Sequence, residues 1–344
     1  MEQLIISQSP HLHGKESTRA IMRDVLIALA PATILAIIFY GWPAITLLAV
    51  SVITCVATEF LAGKYLLKSG NSTGDLSAIV TAVILALNLP PAAPWWIAVV
   101  GGLFAIGVAK MSFGGLGQNI FNPAIVARVF LLISFPVAMT DWTLTEPLFS
   151  CQVPWIGAQI DAFSGATPLG TVSGIAADGT LNGLGLQQIL EQGSYTWQKL
   201  LLIKLGGSMG EISSVALIAG FIYLLVRRVI KPTIPLVIIG TAALISLAFS
   251  AADPARFTGP LFNIFTGGLL IGAIFMATDY VTSPMSFKGQ VIYSVGIGAI
   301  AMFIRYFGSY PEGVSFSILI MNCIVPLLNR YFKPRRFAGE VKNG

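Results

Sequence analysis

The sequence predicts an all-α polytopic membrane protein with about ten transmembrane helices, arranged as two inverted five-helix repeats with one long extracytoplasmic loop. Three observations predict this fold. Hydrophobic residues make up 55% of the 344 residues and charged residues only 10%, whereas soluble domains carry about 25% charged residues. Ten apolar stretches approach membrane-spanning length, and lysine and arginine are unequally distributed between the segments that connect them. This composition excludes a pair of soluble domains.

Cysteine and histidine are too few and too scattered for several common cofactor sites. Cys55, Cys151 and Cys323 have no paired spacing, and His11 and His13 lie together in the polar N-terminus. A disulfide framework, a zinc site and a c-type haem need Cys or Cys/His clusters, and a b-type haem would need histidines inside the membrane. The sequence has no basic patch interleaved with aromatic residues, so no nucleic-acid partner is expected.

The apolar stretches define the elements in chain order. Residues 1–22 are polar and lack a small-residue cleavage site after a short apolar core, which predicts a cytoplasmic tail rather than a signal peptide. A transmembrane helix needs about 17 to 25 apolar residues, and Trp42, Trp95 and Trp96 lie at span ends, where aromatic rings favour the interface. The predicted spans are 24–41, 43–62, 75–90, 95–113, 119–138, 211–226, 234–250, 261–278, 290–304 and 314–331.

Lysine and arginine set the predicted orientation, because cytoplasmic loops retain them. With the N-terminus inside, the cytoplasmic segments hold fifteen of these residues and the outer segments four, with Arg128 inside a span. Both termini are therefore predicted to be cytoplasmic. The acidic, glycine-rich connection 139–210 lies outside. The cytoplasmic set is Lys15, Arg19, Arg23, Lys64, Lys68, Lys110, Arg227, Arg228, Lys231, Lys288, Arg330, Lys333, Arg335, Arg336 and Lys342, and the outer set is Lys199, Lys204, Arg256 and Arg305.

The long outer connection divides the spans five and five. An odd number of spans in each half gives the halves opposite orientations, so residues 23–138 and 211–331 are predicted to form inverted repeats, followed by a basic cytoplasmic tail, 332–344. Asn88-Leu-Pro-Pro in the first half and Thr278-Asp279 to Pro284 in the second half end comparable spans. Inverted repeats place their working site between the halves, near the midplane and often at broken helices.

Few polar groups lie within or beside the spans, and each has a structural alternative. Asn122 with Pro123 indicates a helix start, with Asn122 as the cap. Arg128 is costly in hydrocarbon and is expected to face the protein interior, either in a structural pair or in contact with a cofactor or anion. Glu59 is expected to reach the interface or to pair near Lys64.

Three further acidic residues lie at predicted span edges. Asp75 and Asp279 fall at cytoplasmic edges, where helix capping is the alternative to ion binding. Glu211 opens the sixth span after a glycine-rich run, where a favourable helix-dipole position explains it without a function.

The clearest motif is Asp161-Ala-Phe-Ser164-Gly165-Ala166-Thr167-Pro168 in the outer connection. Gly165 and Ala166 leave the backbone open to a partner, and Pro168 favours an extended Thr167. The motif predicts an accessible, strand-like segment that presents the threonine hydroxyl. A Ser/Gly/Pro turn without a function is the alternative.

This motif resembles the recognition sequence of the bacterial flavin transferase, which splits FAD and joins FMN to the threonine through a phosphoester. Together with the ten-span pattern and segments 114–124, 207–213 and 276–284, it makes nearly the whole chain similar to the RnfD/NqrB family of Rnf complex subunits. The chain is shorter than NqrB and closer to RnfD. It departs from the family's Glu-Thr-Ser and Thr-Asp-Pro at Ile212 and Tyr280.

The resemblance implies a subunit of an ion-translocating ferredoxin:NAD oxidoreductase in the bacterial plasma membrane. This subunit is not catalytic alone and relays electrons coupled to Na⁺ or H⁺ transport. It implies covalent FMN on Thr167 and leaves open a riboflavin within the membrane. The implied partners are the flavin transferase, the second covalent-flavin protein RnfG, and the membrane proteins RnfA and RnfE. Candidate flavin contacts are Asn119, Asn122, Arg128, Gly207, Ser208 and Glu211, and candidate ion-path residues are Asp75, Thr278 and Asp279.

The absence of a Gly-x-Gly-x-x-Gly fingerprint and of an iron–sulfur cysteine set assigns NAD and ferredoxin to other subunits. Flavin would supply the one-electron chemistry that the side chains cannot. Two alternatives remain. A small-solute channel or carrier built on an inverted repeat would be colourless and would transport alone, whereas a cofactor-free assembly scaffold would show neither transport nor flavin.

Overall fold

The computed structural model describes residues 17–67, 73–142, 167–170, 172, 186, 190, 200–201, 207–308, 310 and 312–333. Within these residues the chain is helical and contains no β-strand. The α-helices are α1 (Thr18–Ala62), α2 (Ser77–Leu87), α3 (Trp95–Leu103), α4 (Pro123–Ser134), α5 (Pro136–Met139), α6 (Ser214–Val226), α7 (Thr233–Ala252), α8 (Pro260–Phe265), α9 (Leu269–Ile271), α10 (Phe287–Phe307) and α11 (Val314–Tyr331).

Helix α1 contains the first two predicted spans as one 45-residue segment. Ser17 caps its start by accepting a hydrogen bond from the Ala20 N–H. Gly41 interrupts the helical geometry, with φ 64° and ψ −141°. A residue without a Cβ adopts this conformation at little cost, so Gly41 joins two helical segments without a connecting loop.

Among the described residues, three π-helical turns distinguish this fold from a bundle of regular helices. Gly63–Leu67 extends α1, Phe104–Val108 extends α3, and Gly272–Met276 extends α9. In the last two turns, the Ala109 N–H donates to the Phe104 carbonyl at 3.0 Å and the Ala277 N–H donates to the Gly272 carbonyl at 2.8 Å, so both bonds span five residues. Such turns often mark functional sites, and each of these two is followed, after one alanine, by a polar residue.

In the part of the chain that the structure describes, five helical segments are long and apolar enough to cross a membrane: Thr18–Leu66, Trp95–Phe113, Thr233–Ala252, Phe287–Phe307 and Val314–Tyr331. Ser77–Leu87, Pro123–Ser134 and Ser214–Val226 are shorter apolar helices. The helical and apolar character of the prediction is confirmed for the described residues. The ten spans, the inverted repeat and the long outer loop stay predictions.

Some predicted boundaries differ from the observed ones. The fifth span was expected from residue 119, but α4 begins at Pro123, since a proline at the first helical position follows the Asn122 cap. The sixth was expected from Glu211, but that residue lies in a short 3₁₀ turn, and α6 begins after the Ser213 cap. The eighth is divided into α8 and α9, where Gly267 has a φ of 65°.

The core joins both predicted halves. Helix α1 packs against α2, α3 and α6, α7 packs against α10, and α4 contacts both α2 and α11. One continuous cluster of buried side chains includes Leu29 and Ile125 from the first half and Ile271 from the second. Large apolar side chains also point outward, among them Trp42 and Val226, which are 70% and 75% exposed. Extensive exposed apolar surface fits a helix bundle surrounded by lipid.

Candidate functional site

Four polar residues from different elements form a buried network, which we call the Lys110 cluster: Glu59, Asp75, Ser77 and Lys110. Lys110 Nζ lies 2.9 Å from Glu59 Oε1 and donates to Ser77 Oγ at 2.6 Å. The Ser77 hydroxyl donates to Asp75 Oδ1 at 2.6 Å. Lys110 and Glu59 are 2% and 1% exposed, so the cluster contains an ion pair that lies inside the protein.

A cleft adjoins the Lys110 cluster and contains residues from both predicted halves. Its polar lining includes Ser77, Lys110, Asn119, Asn122, Thr278 and Asp279, and the volume it encloses is about 90 Å³. Pockets for drug-sized ligands commonly measure about 300 to 1,000 Å³. The cleft therefore has a size and a polar lining that suit a hydrated ion or a few water molecules.

Local backbone chemistry places two of these lining residues. Asn122 caps α4 by accepting from the N–H groups of Ala124 and Ile125, and its amide nitrogen lies 3.3 Å from the Met276 carbonyl. Met276 is the last residue of the π-helical turn Gly272–Met276. Asn122 therefore connects the start of α4 to the unwound region beside Asp279.

Asp279 follows this π-helical turn, just beyond the apolar stretch. Its carboxylate accepts from the Val281 N–H at 3.4 Å and from the Thr282 hydroxyl at 3.3 Å. Burial raises the pKa of the Asp279 carboxyl, while these two hydrogen bonds and the charge of Lys110 lower it in part. Asp279 is thus a carboxyl group beside a buried ammonium group on the wall of a cleft.

A second network, the Arg128 cluster, consists of Asn88, Arg128, Ser208, Glu211 and Glu312. Arg128 Nη1 donates to Asn88 Oδ1 at 2.7 Å, and Nη2 forms an ion pair with Glu312. Ser208 Oγ lies 2.5 Å from Glu211 Oε1. Arg128 therefore has a structural partner, which is one of the two alternatives that the sequence left open.

Glycines bring the Arg128 cluster together. A Cβ on Gly268 would stand 3.5 Å from both Arg128 Nη1 and Glu211 Oε1. Gly207 has a φ of 131°, and a Cβ there would stand 3.1 Å from Glu211 Oε2. The glycine-rich segments thus let the backbone approach buried charged side chains closely.

A third site, the Arg305 pocket, lies where α8 and the last turn of α10 meet the described end of the outer motif. Leu169, Val172, Arg256, Thr258, Phe262, Asn263, Arg305 and Tyr306 line it. Arg305 Nη1 and Nη2 donate to the carbonyl groups of Asn263 and Thr266. The Asn263 amide contacts Ser246, Thr258 and Tyr306, which fixes the floor of the pocket.

Thr167 begins the helical turn whose Leu169 lines this third site, and it does not lie on an open strand. It is 6% exposed, and its hydroxyl accepts from the Gly170 N–H at 3.0 Å. The expectation of an exposed, extended threonine is therefore wrong for this structure, because residues 168–170 form a helical turn that Thr167 begins. The motif residues Asp161, Ser164, Gly165 and Ala166 lie outside the described residues.

The structure separates the candidate flavin contacts into two groups. Asn119 and Asn122 line the cleft with the ion-path candidates Thr278 and Asp279, and Asp75 reaches it through Ser77. Gly207, Ser208, Glu211 and Arg128 instead belong to or border the Arg128 cluster. A single site holding all six candidate flavin contacts is not observed.

Sequence reasoning missed two buried cations. Lys110 and Arg305 served only as markers of orientation, yet each is 2% exposed. Lys110 lies inside its own predicted span, 95–113, which was the available signal. Glu59 is paired, as one of the two expectations had it, but its partner is Lys110. The Lys64 ammonium group instead lies over the rings of Phe60 and Tyr65. Across the described part of the chain, no group of three His, Cys, Asp or Glu residues could hold a metal ion.

Comparison with known proteins adds a family likeness over nearly the whole chain. Residues 5–338 match the NQR2, RnfD, RnfE family. An Acetobacterium woodii protein is 43% identical over 97% of this chain and 95% of its own length, and it is described as the subunit designated D of a Na⁺-translocating ferredoxin:NAD⁺ oxidoreductase complex. The corresponding figures are 40%, 97% and 96% for the like-designated subunit of a proton-translocating ferredoxin:NAD⁺ oxidoreductase complex from Clostridium ljungdahlii. They are 41%, 95% and 94% for that of an ion-translocating oxidoreductase complex from Stutzerimonas stutzeri.

Proposed function

The chain belongs to the NQR2, RnfD, RnfE family, and on that premise we propose that it is the RnfD component of an Rnf-type ferredoxin:NAD⁺ oxidoreductase, which carries covalent FMN on Thr167 and relays electrons coupled to ion transport. The observation that carries the proposal is the 40–43% identity, over 97% of the chain, to the corresponding components of two such complexes. One relative is named for Na⁺ and the other for protons, so the proposal covers either ion.

The residues near Thr167 fit a phosphoester. Its hydroxyl faces the turn at residues 168–170, and the neighbouring Arg305 pocket contains Arg256 and Arg305 but no acidic lining residue among those described. A phosphodiester keeps one negative charge, which arginine binds well. When bound, the flavin would supply the electron transfer that the side chains cannot.

Attachment needs an accessible hydroxyl and a base that removes its proton. The Thr167 hydroxyl is buried, and the described residues around it provide no base. In the proposed step, Thr167 Oγ forms a bond to the phosphorus of the FMN half of FAD, the pyrophosphate P–O bond breaks, and AMP leaves. The hydroxyl proton passes to a base of the flavin transferase, because an unactivated threonine is a poor nucleophile. Since Thr167 is 6% exposed, modification requires that Thr167 first leave its packed position.

The cleft beside the Lys110 cluster is the proposed ion site. Asp279 and Thr278 supply a carboxylate and a hydroxyl, and Asp75 is joined to Lys110 through Ser77. Hard cations prefer oxygen ligands, and carboxyl groups in membrane regions commonly mark ion or proton pathways.

Covalent flavin provides the direct test. The full chain is produced with an active transferase and with RnfG, RnfA and RnfE, separated on a denaturing gel, and viewed under ultraviolet light. We expect a fluorescent band from the parent protein and no band from Thr167→Ala, because only covalent flavin survives denaturation. Thr140→Ala is the matched control, since Thr140 is an exposed threonine at the other described end of the connection.

Mass spectrometry then locates the adduct. An FMN mass increment on Thr167 supports the proposal, together with loss of electron transfer in a Thr167→Ala complex that still assembles. An unmodified Thr167 from cells with active transferase, or an adduct on another residue, would contradict it.

A further inference from the structure

Arg305 is a buried cation that has no carboxylate partner within the described part of the chain. It is 2% exposed, and no acidic group lies within salt-bridge distance of it among the described residues. Its two terminal nitrogens are bonded to backbone carbonyls, whereas Nε is buried and has no hydrogen-bond partner among those residues. A buried donor without a partner costs free energy, so the guanidinium retains the capacity to bind an anion.

The surroundings of Arg305 reinforce this capacity. Arg256, whose side chain is 50% exposed, lines the same pocket and forms an ion pair with the half-exposed Asp253 at 3.4 Å. The other described lining residues are neutral. Glu211 contributes a longer-range electrostatic attraction to Arg305, which it shares with Arg128. The pocket therefore offers two cationic side chains and no carboxylate in its described lining.

The pocket is also next to the proposed modification site. A Cβ on Gly267 would stand 2.7 Å from Arg305 Nη2 and 2.9 Å from Leu169 Cδ1, so Arg305 and Leu169 are neighbours across Gly267. Leu169 follows Thr167 by two residues. A group joined to the threonine hydroxyl is thus held within a short chain length of Arg305.

We propose that the Arg305 pocket receives the phosphodiester of the group joined to Thr167, with Arg305 as the principal cation and Arg256 as the second. This assignment rests on the proposed function. A phosphodiester offers two unbridged oxygens with one shared negative charge, which matches the fixed donors of a guanidinium. Arg305 and Arg256 are positioning residues, because they fix the modified segment on α8 and α10 and do not perform its chemistry.

Free phosphate or a lipid headgroup would present the same chemistry. The covalent tether favours the phosphodiester, since attachment within a few residues gives an effective concentration on the order of millimolar. Two melting-temperature measurements, one on unmodified and one on modified protein, distinguish these sources. Inorganic phosphate should raise the melting temperature of unmodified protein if the pocket takes free phosphate, and delipidation should lower the melting temperature of modified protein if the pocket takes a headgroup. Either result, with an immobile flavin in Arg305→Gln, would overturn the assignment.

The test measures flavin mobility in detergent-solubilised full-length protein made with active transferase. Arg305→Gln, Arg305→Lys and Arg256→Gln are compared with Arg330→Gln, which removes an exposed arginine from the far end of α11. Flavin fluorescence anisotropy and quenching by neutral acrylamide report whether the attached group is held. The undocked fraction should rise about tenfold in Arg305→Gln, because a charge-assisted hydrogen bond is lost. Arg256→Gln should rise less, Arg305→Lys should fall between Arg305→Gln and the parent, and Arg330→Gln should match the parent.

The denaturing gel separates the two proposals. A fluorescent band of parental strength in every variant, with unchanged anisotropy and quenching in Arg305→Gln, would overturn the pocket assignment alone. Absence of the band from the parent would overturn the attachment and this assignment together. If Arg305→Gln does not fold, Arg256→Gln decides, and mobility equal to that of Arg330→Gln would refute the assignment.

Discussion

Lys110 and Arg305 are two equally buried cations with different surroundings. Both are 2% exposed. Lys110 has Glu59 at 2.9 Å and the Ser77 hydroxyl, so its charge is neutralised within the protein. Arg305 contacts carbonyl dipoles, and its Nε has no partner among the described residues. Burial alone therefore does not define the role of a charged residue. Lys110 completes an internal ion pair, whereas Arg305 retains a donor with which it can bind an anion.

The largest expected effect comes from breaking the Lys110 pair. Lys110→Met leaves the Glu59 charge buried without the Lys110 ammonium group, so the free energy of unfolding should fall by about 3–5 kcal/mol. Thermal unfolding in detergent measures the loss. The double variant Glu59→Leu with Lys110→Met should recover most of it, because both charges are then replaced by apolar groups. A double variant less stable than Lys110→Met would show that the pair is not the source of the effect.

A smaller effect is expected from Asp279 on the cleft beside this pair. Asp279→Ala removes the carboxylate but leaves the Arg305 pocket intact, so ion transport by the assembled complex should fall about tenfold while Thr167 is modified normally. Ion flux in proteoliposomes and gel fluorescence check the two expectations. Asp141→Ala, which removes an exposed carboxylate outside both the cleft and the Arg305 pocket, is the control. Transport at the parental rate in Asp279→Ala would assign Asp279 to its turn with Val281 and Thr282.

Loss of the α4 cap is expected to cost less. Asn122→Ala removes the acceptor for the Ala124 and Ile125 N–H groups, which should lower the free energy of unfolding by about 1 kcal/mol. Asn122→Asp keeps the cap acceptor but not the amide donor directed at the Met276 carbonyl, so it should separate the two contributions in thermal unfolding. Equal losses in both variants would assign the effect to Met276.

The smallest effect is expected from an exposed pair. Asp253 lies 3.4 Å from Arg256, and both side chains are about half exposed, at 42% and 50%. Asp253→Asn should therefore change the free energy of unfolding by less than about 1 kcal/mol, and added salt should reduce the difference. A loss as large as that of Lys110→Met would contradict the contrast between exposed and buried pairs.

Local features of the site were predictable from the sequence. Asn122 followed by Pro123 predicts the start of a helix from these two residues alone, and the structure confirms this prediction. Arg128 was expected to face the interior because no charged group remains in lipid without cost, and it is 4% exposed. Both inferences depend on residues close together in the chain or on one transfer free energy.

Tertiary partners were not predictable in the same way. Glu59 and Lys110 are separated by 51 positions, and no local pattern specifies that α1 and the turn after α3 will meet. Counting Lys110 and Arg305 as loop cations was wrong about their environment. The count survives without them, since fourteen cytoplasmic and three outer cations remain. Burial of Thr167 likewise depends on tertiary packing, which its flanking residues do not encode.

The π-helical turns that follow α3 and α9 make the cleft sensitive to chain length as well as to side-chain identity. Each turn holds one residue more than an α-helical turn would, and the polar residues that follow, Lys110 and Asp279, both line the cleft. Deleting one residue from Phe104–Val108 or Gly272–Met276 would restore regular winding and rotate the following residues by about 100°. The direction in which Lys110 and Asp279 point thus depends on the number of residues in the preceding turn. A one-residue deletion there turns a charged group away from the cleft although every side chain that lines the cleft is retained.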